Sequence, residues 1–404
     1  MHQDNLKEQL NRKIDGYQKE MIEFMRQLIA IPGESCQEED VVIRIKEEME
    51  EAGFDSCKID PMGNLLGRVG NGSRVIAFDA HVDTVGTGNP AEWQWDPYQG
   101  KFANGIIYGR GATDQRAAVA SMVYAGRAIK ELGLYDDFSI YFVGSVQEED
   151  CDGLCWQYIL EEDGLYPELV VITEPTNLNI YRGHRGRMEM EVITKGVSCH
   201  GSAPERGENS LYKMAPIISG IAELNKNLGE DPFLGRGTIA VTHIENQTPS
   251  LCAIPNRTAI HLDRRLTAGE DKELAASQVE EVICRAGVEA EVVLLNYAKP
   301  SYTGLTYPAD KYYPTWSISE GHPVVEAARA TYRSLFSTEP KVDKWTFSTN
   351  GVSIAGRYGI PCIGFGPADE EYAHTVKEQV PVEHLLKAAA FYALFPAFAR
   401  NIPS

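Results

Sequence analysis

Apolar residues recur at two different spacings in the first part of the chain, which predicts alternating helices and strands. Helical spacing predicts amphipathic helices at 16–30, 38–52 and 116–132, the last of them ending at Gly133. Strands are predicted at 56–60, 64–69, 75–83, 138–146 and 169–172. A glycine-rich turn at 70–72 is predicted to close a hairpin between the second and third of these strands. Alternating strands and helices predict an α/β sheet with helices on both faces.

The middle of the chain has a different order of elements. Strands are predicted at 187–194, 237–244, 257–266 and 288–295, and helices at 210–225 and 270–286. The resulting order, βαββαβ, is typical of a compact ferredoxin-like α+β unit. After a Tyr- and Pro-rich segment at 297–316, the alternation of helices and strands returns. We therefore expect a discontinuous domain, residues 1–185 and 299–404, that is interrupted by an inserted domain at 186–298.

Composition and charge narrow the classes of partner. The 404-residue chain carries 38 basic and 58 acidic residues, a net charge of −20, which argues against nucleic acid and anionic membranes as partners. No stretch approaches the roughly 18 unbroken apolar residues of a membrane span. The charged and polar segment 1–19 lacks the apolar core of a signal peptide, so a cytoplasmic location is expected. The eight Cys are scattered without a Cys-x-x-Cys pair, which predicts reduced thiols and no structural zinc knuckle.

Five short polar segments lie at the ends of predicted strands or before a predicted helix. They are His81-Val82-Asp83, Gly109 to Asp114, Glu148-Glu149, Glu174 in Thr173-Glu174-Pro175, and His374 in Tyr372-Ala373-His374-Thr375. Each segment alone is a weak signal, because charged residues usually sit in solvated loops. Open α/β sheets, however, place their sites beyond the carboxyl ends of their strands. The five segments together therefore predict one functional site that combines imidazoles with carboxylates.

Imidazole and carboxylate groups in this combination are typical ligands of divalent metal ions. Two ions need a bridging carboxylate, for which Asp114 is the candidate, and each ion then needs about two further protein ligands. His81 with Glu174 would serve one ion, and Glu149 with His374 would serve the other. This ligand set favours Zn²⁺, with Co²⁺ or Mn²⁺ tolerated.

Two acidic residues remain beside these ligands. Glu148 is adjacent to Glu149, and it would be free to take a proton from a metal-bridging water and to deliver it to a leaving amine. Asp83 follows His81 by two residues, so its side chain is expected to point the same way and to hold the ring nitrogen that the metal does not use. The predicted chemistry is metal-dependent hydrolysis.

The set of motifs resembles the M20 family of dinuclear metallohydrolases, which includes aminoacylases, acetylornithine deacetylase, succinyl-diaminopimelate desuccinylase and glutamate carboxypeptidase. The resemblance covers nearly the whole chain and is carried by His81-x-Asp83, Gly109-x-Gly111-x-x-Asp114, Glu148-Glu149 and His374. It implies the same five metal ligands, with Glu148 as the base and Asp83 orienting His81. It also implies a zinc-peptidase-like catalytic domain with a mixed sheet, an inserted lid that forms a homodimer, and a cis peptide bond between Asp114 and Gln115.

Three further segments resemble substrate-binding parts of that family. His200, in Cys199-His200-Gly201-Ser202, would reach the active site of the neighbouring subunit and stabilise the oxyanion, whereas without the resemblance it would be a capping residue of a loop. Arg265 would bind a substrate carboxylate, or it is a surface arginine at a strand end. The backbone of Asn350-Gly351 would bind that carboxylate, or it forms a plain turn before a helix.

Some residues depart from the family pattern. Cys252 stands where related amidohydrolases often have an Asn beside the oxyanion, and a thiol is a poorer hydrogen-bond donor. Gln115-Arg116-Ala117-Ala118 replaces the usual Met-Lys-Gly-Gly. These departures are typical of a divergent branch, such as the hydrolases linked to selenium metabolism.

The expected function is the hydrolysis of an amide bond in a small carboxylate-bearing substrate, of deacylase or exopeptidase type, by a metal-bridging hydroxide with Glu148 as general base. Two alternatives stay open. One is the hydrolysis of an N-carbamoyl or ureido group by the same metal chemistry, and the other is a non-catalytic metal-binding dimeric scaffold. Glu148 favours an enzyme, because a binding module has no use for a non-ligand acid at that place.

Overall fold

A mixed eight-stranded sheet forms the centre of the structure, a computed structural model that describes residues 2–402. The helices are α1 (His2–Gly16), α2 (Gln18–Ala30), α3 (Glu39–Glu51), α4 (Arg116–Leu132), α5 (Leu154–Glu161), α6 (Ser210–Leu224), α7 (Lys272–Ala286), α8 (Pro323–Phe336), α9 (Gly351–Ile354) and α10 (Val382–Ala399). The strands are β1 (Ser56–Ile59), β2 (Leu65–Val69), β3 (Arg74–His81), β4 (Lys101–Ala103), β5 (Ile106–Tyr108), β6 (Phe138–Ser145), β7 (Leu169–Ile172), β8 (Ile180–Tyr181), β9 (Gly183–His184), β10 (Gly186–Lys195), β11 (Glu230–Asp231), β12 (Gly235–Arg236), β13 (Thr238–Gln247), β14 (Arg257–Leu266), β15 (Glu291–Leu294), β16 (Asn296–Tyr297), β17 (Ala309–Asp310), β18 (Tyr312–Tyr313), β19 (Trp316–Ser317), β20 (Val342–Asp343), β21 (Cys362–Gly364) and β22 (Gln379–Pro381).

The strands of the central sheet follow the order β1-β2-β6-β3-β7-β21-β8-β20. β3 is parallel to β6 and β7, and β21 is parallel to β7, so the carboxyl ends of these four strands reach the same edge. Successive residues of β3 face opposite sides, as expected for a strand. Ile76 and Phe78 pack in a cluster with residues of α4 and α10, whereas Ala77 packs in a second cluster with residues of α5. The prediction of an α/β sheet with helices on both faces is therefore confirmed.

The predicted hairpin at 70–72 is wrong, because β6 lies between the two strands that this turn connects. β2 is antiparallel to β6 and β3 is parallel to it, so the chain crosses the start of β6 instead of reversing beside it. A Cβ at Gly72 would lie 1.7 Å from the main-chain oxygen of Asp137, and Gly70 has a φ of +83°. The two glycines thus let the crossing chain pass close to the backbone of β6.

Two parts of the fold illustrate what was not predicted. α1 precedes the expected helices, and its apolar residues Leu6, Leu10 and Ile14 recur every fourth position and pack on the main core. A small sheet of order β22-β5-β4 ties the segment before Asp114 to the segment after His374. Both lie in stretches dominated by charged or turn residues, where periodicity is a poor guide.

A second sheet is built by the middle of the chain. Its strands follow the order β13-β14-β10-β15, all antiparallel, with the short β18 pairing with β10. Residues of α6 and α7 pack with residues of these strands in a cluster of their own. This arrangement is the one expected for the βαββαβ order. The boundaries 186 and 298, and the role of the unit as a lid, stay predictions.

Within residues 2–402, none of the helices combines the length and the apolar character that crossing a membrane requires.

The crossing at 70–72 leads to a stability test. Gly72→Ala places a methyl group on the backbone of Asp137, so it should lower the free energy of unfolding by about 2 kcal/mol or more, in the range of overpacked sites. Gly321→Ala is the matched control, because a Cβ there meets no atom within 4 Å. The measurement is the midpoint of urea unfolding for both variants. Equal midpoints for Gly72→Ala and wild type would show that the crossing is not tightly packed.

Candidate functional site

The predicted site residues meet at the carboxyl edge of the central sheet. His81 is the last residue of β3, Glu148 and Glu149 follow β6, and Glu174 follows β7. Because these three strands are adjacent and parallel, the side chains that follow them come together. Asp114 lies just before α4, and His374 follows a short 3-10 turn at Glu370–Tyr372, beyond β21. The peptide bond between Asp114 and Gln115 is cis, as predicted.

The carboxylate of Asp114 faces two imidazoles, one with each oxygen. Its Oδ1 lies 2.8 Å from His81 Nε2, and its Oδ2 lies 3.2 Å from His374 Nε2. Asp114 is 7% exposed and His81 is 1% exposed, so this contact is shielded from solvent. A carboxylate that presents its two oxygens to two imidazoles has the arrangement required of a bridging ligand.

Each imidazole also has a carboxylate of its own. His81 Nε2 lies 3.5 Å from Glu174 Oε1, and His374 Nε2 lies 3.0 Å from Glu149 Oε2. The residues therefore form two groups, each with one imidazole and one private carboxylate, that share Asp114. This is the pairing that the sequence predicts, although the roles of these residues stay predictions.

The donor atoms are close enough to hold cations. Those of His81, Asp114 and Glu149 lie within 4.8 Å of one another, and so do those of His81, Glu148 and Glu174. The second set includes Glu148, which the sequence predicts to be a base and not a ligand. Buried oxygens of Glu148 and Glu174 also have no hydrogen-bond partner within the described residues, which leaves them available to a cation.

The net charge of the surrounding pocket also favours the binding of cations. The cavity is about 380 Å³ in volume, and its lining includes His81, His374, two arginines and six carboxylates, those of Asp114, Glu148, Glu149, Asp152, Glu174 and Glu370. With neutral imidazoles, four negative charges remain after the arginines are counted. Two divalent cations would neutralise them, whereas isolated buried carboxylates carry a high desolvation cost.

The imidazoles and carboxylates shift each other's protonation. Hydrogen bonds to Asp114 and Glu149 raise the pKa of His374 to about 10. Burial lowers the pKa of His81, but the charges of Glu174 and Asp114 outweigh this and raise it well above the usual range. Burial raises the pKa of Asp114, but hydrogen bonds from His374 and His81 lower it well below the usual range. Without metal, both imidazoles thus hold protons that a cation has to displace.

Asp83 acts mainly on the backbone of the Glu148-Glu149 segment. Its carboxylate accepts hydrogen bonds from the main-chain N–H groups of Glu148, at 3.3 Å, and Glu149, at 3.1 Å, and from the hydroxyl of Ser35 at 2.7 Å. Nδ1 of His81 lies 3.0 Å from the main-chain oxygen of Asp83 and 3.4 Å from its carboxylate. Nδ1 of His81 therefore faces both the main-chain oxygen and, at longer range, the carboxylate of Asp83, and the orienting role of Asp83 stays a prediction.

A buried ion pair that was not predicted supports Asp114. Oε1 of Glu378 accepts the N–H groups of Thr113, at 3.0 Å, and Asp114, at 2.9 Å, while its Oε2 accepts Arg110 Nη1 at 2.6 Å. Both side chains of the pair are almost fully buried. In the sequence, the only indication of this ion pair is an arginine inside the glycine-rich segment before Asp114.

Of the residues predicted to bind substrate in the same chain, one lines the pocket and two do not. Arg265 lines the pocket and forms two hydrogen bonds to Asp263, at 2.8 and 3.1 Å. Asn350 and Gly351 are buried away from the lining, because the Asn350 amide bonds to Asp79 and Ser145 in the core. Ser348, two residues earlier, lines the pocket instead.

His200 lies outside the pocket of its own chain. It is exposed on the inserted unit, where its Nδ1 accepts the main-chain N–H of Ser202 at 3.1 Å. Cys252 is likewise exposed. The structure of one chain therefore does not bring His200 to the candidate metal ligands, as expected if it serves a neighbouring subunit.

Several lining residues were missed by the sequence reasoning. They are Asp152, Arg187, Phe347, Glu370 and Ala373. Asp152 and Glu370 are single acidic residues near the Glu148-Glu149 and His374 segments. Their spacing from the predicted ligands follows neither a helical nor a strand period, so no pattern marked them. Arg187, the second residue of β10, lies directly opposite Arg265 of β14, a pairing that a register prediction for the two strands could have found.

Comparisons of sequence agree with this site. A model of the family described as Peptidase family M20/M25/M40 matches residues 77–397. The chain is 53% identical over 384 residues to the uncharacterized protein YgeY of Escherichia coli strain K12, and the match covers 95% of each chain. It is 25% identical over 365 residues to succinyl-diaminopimelate desuccinylase of Magnetococcus marinus, covering 87% of this chain and 89% of that protein.

Solved structures share the fold. The aminopeptidase PepT of Bacillus cereus superposes with a TM-score of 0.71 at 21% identity, covering 95% of this chain and 99% of that chain. The YXEP protein of Bacillus subtilis, described as a dinuclear metal binding peptidase from the M20 family, gives a TM-score of 0.69 at 15% identity, covering 96% and 100%.

The proton content of the site predicts how metal affinity changes with pH. Because the pKa of His374 in the metal-free protein is about 10, bound metal must displace its proton, and fewer protons compete as pH rises. The apparent affinity for Mn²⁺ should therefore keep rising between about pH 7.5 and about pH 9, where an ordinary histidine is already neutral. Calorimetric titration in buffers of different ionisation enthalpy measures both the affinity and the protons released. A constant affinity over this range would contradict the protonated imidazoles.

Proposed function

Because the chain belongs to peptidase family M20/M25/M40, and is thus a metal-dependent amidohydrolase or peptidase, we propose that it hydrolyses an amide bond of a small carboxylate-bearing substrate at a site for two divalent cations. The observation that carries the proposal is the carboxylate of Asp114, whose two oxygens face His81 and His374. One shared carboxylate between two imidazoles is what two adjacent cations need.

The chemistry of the donors suits zinc. His81, Glu174 and Asp114 would hold one cation, and His374, Glu149 and Asp114 the other, with Co²⁺ or Mn²⁺ as substitutes. When bound, such cations polarise the scissile carbonyl and lower the pKa of a water molecule to near neutrality.

Glu148 is placed to handle the proton. It is 5% exposed in the pocket wall, and its Oε1 has no hydrogen-bond partner within the described residues. Burial and the charge of Asp152 raise its pKa well above the usual range, which suits a group that accepts a proton and then donates it. We assign it the transfer of a proton from the attacking water to the leaving amine. Its closeness to His81 and Glu174 leaves a direct test of whether it binds metal instead.

The substrate side of the proposal rests on Arg265 and on the relatives. Arg265 faces the pocket and would bind the substrate carboxylate. Among the relatives in sequence, the succinyl-diaminopimelate desuccinylase is by its name an enzyme that removes an acyl group from a small carboxylate-bearing molecule. The cytoplasmic location and the exclusion of nucleic acid and membranes stay predictions from charge and sequence.

We further assign residues 186–298 to a lid that pairs two chains. β13 is the outer strand of the second sheet, and one side of it has no partner strand within the described residues. Such an edge is a ready template for pairing with another chain. Exposed apolar residues lie on the same unit, with Leu251 fully exposed and Tyr212 78% exposed. A homodimer through this unit would cover them and would allow His200 to enter the partner subunit's pocket.

A substitution of Glu148 distinguishes a role as general base from a role as metal ligand. Glu148→Gln should lower kcat by at least about 100-fold, the range of general-base catalysis, because the amide cannot accept the proton. Metal content, measured by mass spectrometry on the loaded protein, should stay at two ions per chain. Glu371→Gln, a charge change at an exposed neighbour of the site, is the control. Loss of an ion in Glu148→Gln would show that Glu148 is a ligand.

A subunit-exchange experiment tests whether His200 of one chain acts in the active site of the other chain. His200→Ala and Glu148→Ala chains should each be inactive alone, the first by about 10²–10³-fold as for a lost oxyanion donor. After subunit exchange, a mixed dimer holds one site with an intact Glu148 and a His200 from the other chain, so part of the activity should return. If exchange is confirmed by mass labelling and no activity returns, His200 does not act across a dimer.

A further inference from the structure

The pocket wall outside the predicted metal ligands and Glu148 is polar and mixed in charge. Its charged members are Arg187, Arg265, Asp152 and Glu370, and Phe347 is its one large apolar residue. A wall of this composition cannot bury a large apolar acyl group or side chain favourably, because the charged groups would lose their hydration. The cavity of about 380 Å³ thus suits a small substrate with charges of its own.

The two arginines form the anionic subsite. Arg187 and Arg265 are direct cross-strand partners on β10 and β14. Arg187 pairs with Asp152 at 3.0 Å and more distantly with Glu189 at 3.9 Å, and Arg265 pairs with Asp263 at 2.8 Å. Like charges directly opposite each other in a sheet are destabilising. Nε of Arg187 also has no hydrogen-bond partner within the described residues. Both arginines line the same pocket, so an anionic substrate group there would meet two positive charges.

Glu370 is the acid of this wall that no cation neutralises. Asp152 is paired with Arg187, but Glu370 forms no ion pair with any described residue. Its carboxylate is hydrogen-bonded only by Thr346, whose hydroxyl lies at a long 3.4 Å, and its Oε2 has no hydrogen-bond partner within the described residues. The neighbouring Lys341 is held by Asp343 at 2.5 Å. Burial and the nearby charges of Asp369 and Asp343 raise the pKa of Glu370, which a cation would reverse.

We propose that Glu370 binds a cationic group of the substrate, so that the substrate is a small zwitterion whose anionic group lies at Arg187 and Arg265. The proposal rests on the proposed function and names its substrate class, an amide that carries an ammonium group besides its carboxylate. A charge-neutral ligand also fits the pocket electrostatically, since two divalent cations would leave the lining close to neutral. The structural alternative is that Glu370 only favours the start of the 3-10 turn at Glu370–Tyr372.

Matched amides test the cationic subsite by binding, independent of turnover. Alanyl-alanine and β-alanyl-alanine are compared with propionyl-alanine, and Nα-acetyl-lysine is compared with Nα-acetyl-norleucine, so that each pair differs in an ammonium group. Their dissociation constants are measured by calorimetry on the zinc-loaded Glu148→Gln protein. At least one ammonium-bearing ligand should bind about tenfold or more tightly than its partner, as for a charged hydrogen bond. Adding Glu370→Gln should abolish that difference.

The control variant is Glu371→Gln, which removes an exposed charge next to Glu370 and should leave the preference unchanged. A purely structural role of Glu370 would weaken both members of a pair equally. Absence of any ammonium preference, or its persistence in Glu370→Gln, overturns the inference. Hydrolysis of the same amides by the wild-type enzyme reports separately on the proposed function. Turnover of propionyl-alanine without ammonium preference would uphold the function and reject the cationic subsite.

Discussion

A single carboxylate shared by two imidazoles organises the candidate site. Asp114 lies 2.8 Å from His81 and 3.2 Å from His374, and the same Nε2 nitrogen of each imidazole also faces a further carboxylate. So many buried acids at one sheet edge repel one another, and in the metal-free protein the protons on the two imidazoles compensate only part of this charge. Divalent cations in place of those protons would compensate the remaining negative charge. The same cations would thus stabilise the clustered carboxylates and supply the chemistry of hydrolysis.

The loops that carry the clustered acidic ligands are held in place by two other buried carboxylates, which accept hydrogen bonds from the main chain of these loops. Glu378 accepts the N–H groups of Thr113 and Asp114, and Asp83 accepts those of Glu148 and Glu149. Charged acceptors on backbone donors form strong, well-directed hydrogen bonds. The ligand-bearing loops are therefore fixed by contacts that do not use the ligand side chains themselves. This leaves the donor atoms free to face the pocket.

How much of this followed from the sequence depends on whether the contacts were local. His81, Glu148 and Glu174 were predictable because short apolar strands identify themselves and parallel strands end at one edge. The hairpin at 70–72 was wrong because strand pairing is non-local, and β6 enters between neighbours in the sequence. Residues such as Arg187 and Glu370 were missed because they reach the pocket only through the packing of separate segments. Asn350 was expected to bind substrate through its backbone, but it lies buried outside the pocket lining, with its side-chain amide bonded to Asp79 in the core.

The most direct test of the account is whether two cations share Asp114. Electron paramagnetic resonance of the Mn²⁺-loaded wild-type protein, combined with metal analysis, measures both the number of ions per chain and their mutual coupling. Bridged ions about 3.5–4 Å apart are magnetically coupled. The account predicts two Mn²⁺ per chain with the spectrum of a coupled pair, and loss of the coupling in Asp114→Asn. A loaded protein with one ion per chain, or with two ions that show the spectrum of isolated Mn²⁺, would contradict it.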